Sequence, residues 1–169
     1  MRPTSAELFE RHHLAIYRYL LKTTGSPETA EDITQDVFVR VLKGLDGYEE
    51  RDQERSWLFR IARNLRCDRG RREHRQPTPS PLGDIEPLEP ARQDLQLSLA
   101  QALAGLEEDD RDMFVLAEIG GLSYAEIGVI CDASPAAVRS RIYRARLALR
   151  AVLESPHISE RTFVRGRHG

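Results

Sequence analysis

The chain has 169 residues, of which 40% are hydrophobic, and its 25 basic side chains nearly balance 27 acidic ones, for a net charge of −2. This composition excludes a wholly disordered chain, and no segment approaches the roughly 20 apolar residues of a membrane span, so we expect a cytoplasmic protein. The two cysteines, Cys67 and Cys131, are far apart and belong to no metal-binding motif. We therefore expect reduced thiols, no metal and no cofactor.

Two helices are predicted before residue 46. Thr4 and Glu7 form a capping box at the start of the first helix, Gly25 ends it, and Ser26 with Pro27 starts the second. Helical projection of the second helix predicts one inward face, made of Ile33, Val37, Val41 and Leu45, and one outward face, made of Glu28, Asp32, Gln35 and Val39. A valine exposed among acids indicates a protein-binding surface, and a solvated acidic face is the alternative.

Adjacent histidines lie on the first of these helices. His12 and His13 have no acidic or cysteine partner at the spacing of a metal site. We expect both rings to be solvated.

A third helix is predicted from about Ser56, within the segment from Arg55 to Arg72. Its projection buries Trp57, Leu58, Ile61, Ala62 and Leu65 and leaves an outer face of Arg60, Arg63, Asn64, Cys67 and Arg71. Arginine and asparagine on a rigid helix suit nucleic acid, whereas a solvated basic face is the alternative. In the preceding loop, Tyr48 is predicted either to stack on bases or to plug the base of the loop.

A proline-rich segment separates two parts of the chain. Five prolines lie between residues 76 and 90, a composition that cannot propagate a helix. We therefore predict an all-α protein of two small helical domains, residues 1–75 and 92–154, joined by a flexible linker at 76–91 and followed by a basic tail at 155–169.

The segment from Leu122 to Arg150 is typical of a helix-turn-helix. Ser123 with Glu126 forms a capping box, and Ser134 followed by Pro135 starts the second helix. In that helix we predict a buried stripe of Val138, Ile142, Ala145 and Leu149, an outward face of Ala137, Ser140, Arg141 and Arg144, and phosphate-binding flanks of Arg139, Arg146 and Arg150. A solvated basic helix without a ligand is the alternative.

Three segments together carry a family resemblance. AEDITQDVF (30–38), SWLFRIARNLRCDRGRR (56–72), and then GLSYAEIG with VRSRIYRAR resemble, in that order, the extracytoplasmic-function sigma factors of bacterial RNA polymerase, within the sigma-70 family. The resemblance covers most of the chain. It implies a sigma factor with no enzymatic activity that recognises the minus-ten and minus-thirty-five promoter elements and assists strand opening.

The resemblance also implies partners and site residues. The implied partners are core RNA polymerase, through its beta-prime clamp helices and its beta subunit, promoter DNA and an anti-sigma factor. The docking residues would be Asp32, Gln35, Asp36 and Val39. DNA at the minus-ten element would meet Tyr48, Arg60, Arg63, Asn64, Arg66 and Arg71, and DNA at the minus-thirty-five element would meet Ser134, Ala136, Ala137, Arg139, Ser140, Arg141, Arg144 and Arg146.

Three departures from the family pattern concern the helix-turn-helix, and one of them is Ala137, which replaces a common threonine near the start of the second helix. Asp132 occupies a turn position that is usually glycine, and we expect the turn to survive because aspartate tolerates a left-handed backbone. Gly128 replaces a common alanine and is expected to weaken its helix slightly.

Two rival functions remain. A conventional activator or repressor would carry a ligand pocket or a phosphoacceptor on its other domain, and a DNA recombinase would need a nucleophile ringed by arginines. Neither pattern is evident in the sequence.

Overall fold

The computed structural model describes residues 3–45, 53–73 and 90–154. Over those ranges the chain forms α-helices and no strand: α1 (Ser5–Thr24), α2 (Pro27–Gly44), α3 (Glu54–Glu73), α4 (Pro90–Ala104), α5 (Glu108–Glu118), α6 (Tyr124–Cys131) and α7 (Pro135–Leu153). The all-α prediction is confirmed. Tyr48, residues 76–89 of the predicted linker and the tail at 155–169 lie outside the described residues.

The helix ends form where the capping residues predict them. Thr4 and Ser123 each accept a hydrogen bond from the backbone N–H three residues later, and the glutamate at that position bonds back, which completes a capping box at both helices. The Ser26 hydroxyl caps α2, and Gly25 ends α1 in the left-handed conformation, with φ +70°. Local hydrogen bonding thus sets where these helices start and stop.

Helices α1–α3 form the N-terminal half. Leu8, Ile16 and Leu20 of α1 are buried, together with the predicted Ile33, Val37 and Val41 of α2 and with Leu58 and Ala62 of α3. Four residues predicted to be inward, Leu45, Trp57, Ile61 and Leu65, are only partly buried. Instead the core takes Phe59, which is fully buried and packs edge-to-face on Tyr19 with ring centroids 5.5 Å apart.

Helices α4–α7 form the C-terminal half. Helices α4, α5 and α6 all contact α7, and the predicted stripe of Val138, Ile142, Ala145 and Leu149 is buried there. Helix α4 begins at Pro90, two residues before the expected domain boundary. Helix α7 therefore rests on three neighbours.

The two halves contact each other directly. Helix α1 packs against α4 and α5, and α3 packs against α6. Buried apolar residues from both halves form one cluster, which includes Leu20, Phe59, Leu116 and Ile127. This packing decides which side of α3 is open to solvent. Among the helices described, none has the length and apolar character to cross a membrane.

Candidate nucleic-acid and protein interfaces

Helices α6 and α7 form the predicted helix-turn-helix. Asp132 adopts the left-handed conformation with φ +53°, and its N–H bonds to the Gly128 carbonyl, so the turn survives without glycine as expected. The expectation for Gly128 needs correction. A Cβ at this position would lie 2.5 Å from the Ala133 carbonyl oxygen, so glycine permits the turn to pack on α6 instead of merely weakening the helix.

The outward face of α7 is largely open. Ser134, Ala136, Arg139, Ser140, Arg144 and Arg146 are exposed, whereas Ala137 and Arg141 are half-buried. An α-helix with an exposed, basic outer face has the size and charge that fit a DNA major groove.

Three of these arginines are bound to carboxylates of α5 or of the residue before it. Arg141 Nη1 and Arg144 Nη2 lie 3.1 and 3.0 Å from Asp110 Oδ1, and Arg141 is also 3.5 Å from Glu107. Arg146 lies 2.7 Å from Glu118. A phosphate would have to compete with these carboxylates, since each pair is a charge-assisted hydrogen bond.

Helix α3 presents two different faces. Arg60, Asn64 and Arg71 are exposed along one side, as predicted. Arg63 is half-buried, as is Cys67, and Arg66 is buried, so the prediction that Arg63 and Cys67 lie on an outer face is wrong. The side of α3 that carries Arg63 and Arg66 is covered by the C-terminal half.

A buried carboxylate on α5 holds that covered side. Asp112 has a side chain only 1% exposed, and its Oδ2 lies 2.6 Å from Arg63 Nε and 3.1 Å from Arg66 Nη2. The Tyr19 hydroxyl of α1 donates a hydrogen bond to the other carboxylate oxygen. Burial, with the negative charge of Asp112 second, raises the pKa of Tyr19 well above its ordinary value. The tyrosine is therefore a neutral donor at physiological pH.

Acids lie before and within α5 at Glu107, Glu108, Asp109 and Asp110, and their segregation from the arginines predicts a separate surface for a second kind of partner. The structure corrects this interpretation for Asp110, which is buried against arginines of α7, and Asp112 of the same helix is buried against arginines of α3. Part of the acidic charge that offsets the arginines, for a net charge of −2, is therefore used in internal ion pairs.

The predicted docking face on α2 is exposed. Asp32, Gln35, Asp36 and Val39 all lie on the solvent side of the helix, and the side chain of Asp32 is 3.3 Å from Arg69 of α3. Val39 is 46% exposed, and Leu42, one turn later and not predicted, is 64% exposed. A helix face that combines acids, an amide and two apolar side chains suits contact with another protein.

His12, Cys67 and Cys131 have the surroundings of side chains that support the fold. His12 is buried, and its Nε2 lies 2.6 Å from Glu54 Oε1, so the expectation of a solvated ring is wrong for this residue. Sequence spacing could not reveal this partner, because Glu54 is 42 residues away.

Cys67 and Cys131 are free cysteines, and burial raises the pKa of the Cys131 thiol to about 12. Within the described residues no cluster of His, Cys, Asp or Glu is arranged to hold a metal ion.

Two known protein families match the chain, one in the N-terminal half and one in the C-terminal half. Residues 8–76 match the family Sigma-70 region 2, and residues 96–149 match Sigma-70, region 4. The first match contains most of α1 and all of α2 and α3, and the second contains most of α4 and α7 and all of α5 and α6.

Individual relatives match across both halves of the chain. The sequence is 35% identical over 167 residues to the ECF RNA polymerase sigma factor SigE of Mycolicibacterium smegmatis, covering 94% of this chain and 64% of that protein. It is 31% identical to the ECF RNA polymerase sigma factor SigM of Mycobacterium tuberculosis, covering 87% of this chain and 76% of the relative. A solved structure of the sigma factor RpoE with the anti-sigma factor NepR, from Bartonella quintana, is similar with a TM-score of 0.72 and 26% identity, covering 86% of this chain and 94% of that one.

Proposed function

Since this chain belongs to the family of extracytoplasmic-function RNA polymerase sigma factors, we propose that it binds core RNA polymerase and directs promoter-specific initiation of transcription. The observation that carries the proposal is the order of two parts in one chain. An exposed, mixed acidic and apolar face on α2 precedes a helix-turn-helix whose outer face is basic. Polymerase binding and promoter reading need one surface of each kind.

In this proposal each half reads one promoter element. The exposed Arg60, Asn64 and Arg71 of α3 would meet the minus-ten element, and the outer face of α7 would enter the major groove at the minus-thirty-five element. Capturing unstacked bases offsets an opening cost of a few kcal/mol, so strand opening needs no ATP and no catalytic residue. Two linked sites raise the effective concentration of each half on the same duplex.

The docking surface proposed for the beta-prime clamp helices is the α2 face of Asp32, Gln35, Asp36 and Val39. Support comes from their shared exposure and from Leu42, which extends the apolar part of the same side. The beta subunit is proposed as a further contact. Binding to polymerase and promoter DNA would place the active protein in the cytoplasm, at the bacterial nucleoid.

An anti-sigma factor is the other proposed partner. Its support is the similar structure of RpoE, which was solved with the anti-sigma factor NepR. The alternative function, a conventional helix-turn-helix regulator that does not replace sigma, is not favoured, because the chain matches both region 2 and region 4 of the sigma-70 family.

Run-off transcription with sigma-free bacterial core polymerase tests the function directly. The template is a pool of fragments from the source genome, transcribed with and without the chain. Discrete start sites that require the chain support promoter-specific initiation. If no starts appear and the chain does not bind core polymerase, the alternative regulator is favoured.

The docking face has its own test. Replacing Gln35 and Val39 together with Ala removes exposed side chains, so we expect weaker polymerase binding with unchanged folding. Glu10→Gln, an exposed position on α1, is the control and should bind as the wild type does. Equal binding by the double variant and the wild type would show that this face of α2 does not contact the polymerase.

A further inference from the structure

Two arginines of α7 converge on one carboxylate oxygen of α5. Arg141 Nη1 lies 3.1 Å and Arg144 Nη2 lies 3.0 Å from Asp110 Oδ1. The two arginines are three residues apart in the chain, so they are neighbours on the surface of α7 and can share one acceptor. Asp110 therefore fixes the position of both guanidinium groups relative to the outer face of this helix.

The carboxylate is buried, whereas the arginines that it holds reach solvent. The side chain of Asp110 is only 10% exposed, and it lies in the first turn of α5, where the helix dipole favours a negative charge. The side chains of Arg141 and Arg144 are 29% and 57% exposed. An arginine has five N–H donors, so an arginine bound through one nitrogen keeps other donors for a ligand. Each guanidinium is thus held on one side and open on another.

The bound carboxylate affects two kinds of DNA contact unequally. A phosphate carries a negative charge, so the carboxylate that already shares the guanidinium repels it. A base edge has no net charge, and guanine offers two acceptors, O6 and N7, that match the fork of an arginine. Holding the side chain before binding also lowers the entropy cost of a contact that needs one orientation. The carboxylate therefore disfavours phosphate contacts and favours base contacts.

We propose that Asp110 is a positioning residue for promoter recognition, which holds Arg141 and Arg144 so that they discriminate between base sequences instead of binding any duplex. The inference rests on the proposed function, in which the outer face of α7 enters the major groove. Asp110 acts through the two arginines. The quantity that it sets is the ratio of the affinities for a matched and an unmatched DNA sequence.

Two affinity changes distinguish positioning from the other roles that a carboxylate can have here. A carboxylate that only competes with DNA, once neutralised, tightens binding to every sequence by the same factor. A carboxylate that only supports the fold lowers stability and leaves the affinity ratio unchanged. A positioning carboxylate, once neutralised, tightens binding to unmatched DNA more than binding to matched DNA, so the ratio falls.

The experiment compares the wild-type full chain with Asp110→Asn, which removes the charge and keeps the size of the side chain. Asp109→Asn is the matched control. It removes the same charge from the same helical turn, but its oxygens lie 3.8 Å from the arginine nitrogens of Arg63 and Arg141, beyond hydrogen-bond distance. Circular dichroism and urea denaturation of the free chains measure helix content and stability.

Each chain is then assembled with core polymerase and titrated against two duplexes. One is a promoter recovered by the run-off transcription described above, and the other is the same promoter with the bases of its upstream element in shuffled order. We expect the affinity ratio to fall about fivefold in Asp110→Asn, the lower end of what one bidentate base contact contributes. Asp109→Asn should keep the wild-type ratio.

Two further variants test whether Asp110 acts through the arginines. The fall in the ratio should be smaller when Asp110→Asn is made in an Arg144→Ala chain, because one of the two arginines that Asp110 holds is then absent. Asp110→Glu keeps the charge and moves the carboxylate by one methylene. It should lower the ratio without tightening binding to the shuffled duplex.

An unchanged ratio in Asp110→Asn would overturn the proposal. An equal fall in Asp109→Asn would do the same, as would an equal effect of Asp110→Asn with and without Arg144. If Asp110→Asn loses helix content, the ratio measured for Asp110→Glu decides.

Failure of the proposed function has a different result, in which the wild type neither binds core polymerase nor produces start sites. The free chains are then selected against a pool of random-sequence duplexes. A weaker sequence preference in Asp110→Asn than in the wild type would still support positioning. An equal preference, or no preference in the wild type, would overturn it.

Discussion

The Ala133 carbonyl oxygen lies against Gly128 so closely that a Cβ on this glycine would be 2.5 Å from it. The same turn is tied by a 2.8 Å hydrogen bond from the Ala133 N–H to the Gly128 carbonyl. The angle between α6 and α7 therefore depends on residue 128 being a glycine, which has no Cβ. Glycine here serves tertiary packing at the expense of helix propensity.

Gly128→Ala should destabilise the protein by about 1–3 kcal/mol, because the backbone of the turn must move to admit the methyl group. Gly70→Ala is the matched control, since Gly70 is also helical and a Cβ there would meet nothing within 4 Å. That variant should be more stable than the wild type by about 0.5–1 kcal/mol. Urea denaturation gives both free energies, and a stabilising Gly128→Ala would show that the turn does not need glycine.

Low pH should weaken the hydrogen bonds that Glu126 makes with Ser123 and Ser56 at the start of α6. Bonding to the Ser123 backbone, with the Ser56 hydroxyl second, lowers the pKa of Glu126 below its model-compound value of 4.5. A carboxyl group with a lowered folded pKa adds stability above its unfolded pKa and loses it as pH falls through the folded value. The wild type should thus lose more stability than Glu126→Gln as pH falls below about 4.5. Thermal melting across that range measures this, and parallel curves would contradict it.

Cys131 should react slowly in the folded protein. Burial, with the charge of Asp112 second, raises its thiol pKa from 9.0 to about 12. At pH 8 the thiolate fraction is then roughly a thousandfold lower than in the unfolded chain, and the thiolate is the form that reacts. Mass spectrometry of iodoacetamide labelling should show slow modification of Cys131 in buffer and rapid modification in urea. Similar rates in both would show that the thiol is not protected.

The same shift predicts loss of stability in alkali. A group whose folded pKa is raised contributes stability below its unfolded pKa and loses it as pH rises, here from about 9 to about 12. Cys131→Ala should therefore lose less stability than the wild type between pH 9 and 11. Urea midpoints at three pH values measure the difference, and equal losses would count against this assignment.

Features that depend on local chemistry follow from the sequence. The caps at Thr4, Ser26, Ser123 and Ser134 involve hydrogen bonds three residues apart, so the chain itself specifies them. The buried stripe of α7 follows from helical periodicity, and the structure confirms it. The exposure of the docking residues on α2 follows in the same way.

Contacts between distant segments were not predictable in this way. Phe59 and Arg66 are buried by helices other than their own, and Asp112 is 49 residues from Arg63. Helical projection assigns a residue to a face but does not state what covers that face. For the same reason, charge segregation predicts a free acidic surface before and within α5, although Asp110 of that surface is paired with Arg141 and Arg144. The sequence does not delimit α4 and α5, because it has no S/T-x-x-E/Q pattern at either helix start.

Substitutions should reveal two kinds of arginine on α7. One kind contacts only DNA, and the other also binds a carboxylate of the protein. Arg139 is exposed on the flank of the helix, whereas Arg141 is half-buried and bound to Asp110, whose side chain is 10% exposed. Arg139→Ala should leave stability unchanged. It should also lower the slope of log binding constant against log salt concentration by about 0.9, the value for one phosphate contact.

Arg141→Ala should weaken promoter binding and also cost about 0.5–1 kcal/mol of folding stability, because Asp110 loses one of its arginines. Promoter dissociation from the polymerase complex over a KCl series, together with urea denaturation of each free chain, separates the two effects. An unchanged slope for Arg139→Ala would remove it from the DNA interface, and equal stability of the two variants would show that the Arg141–Asp110 pair does not support the fold.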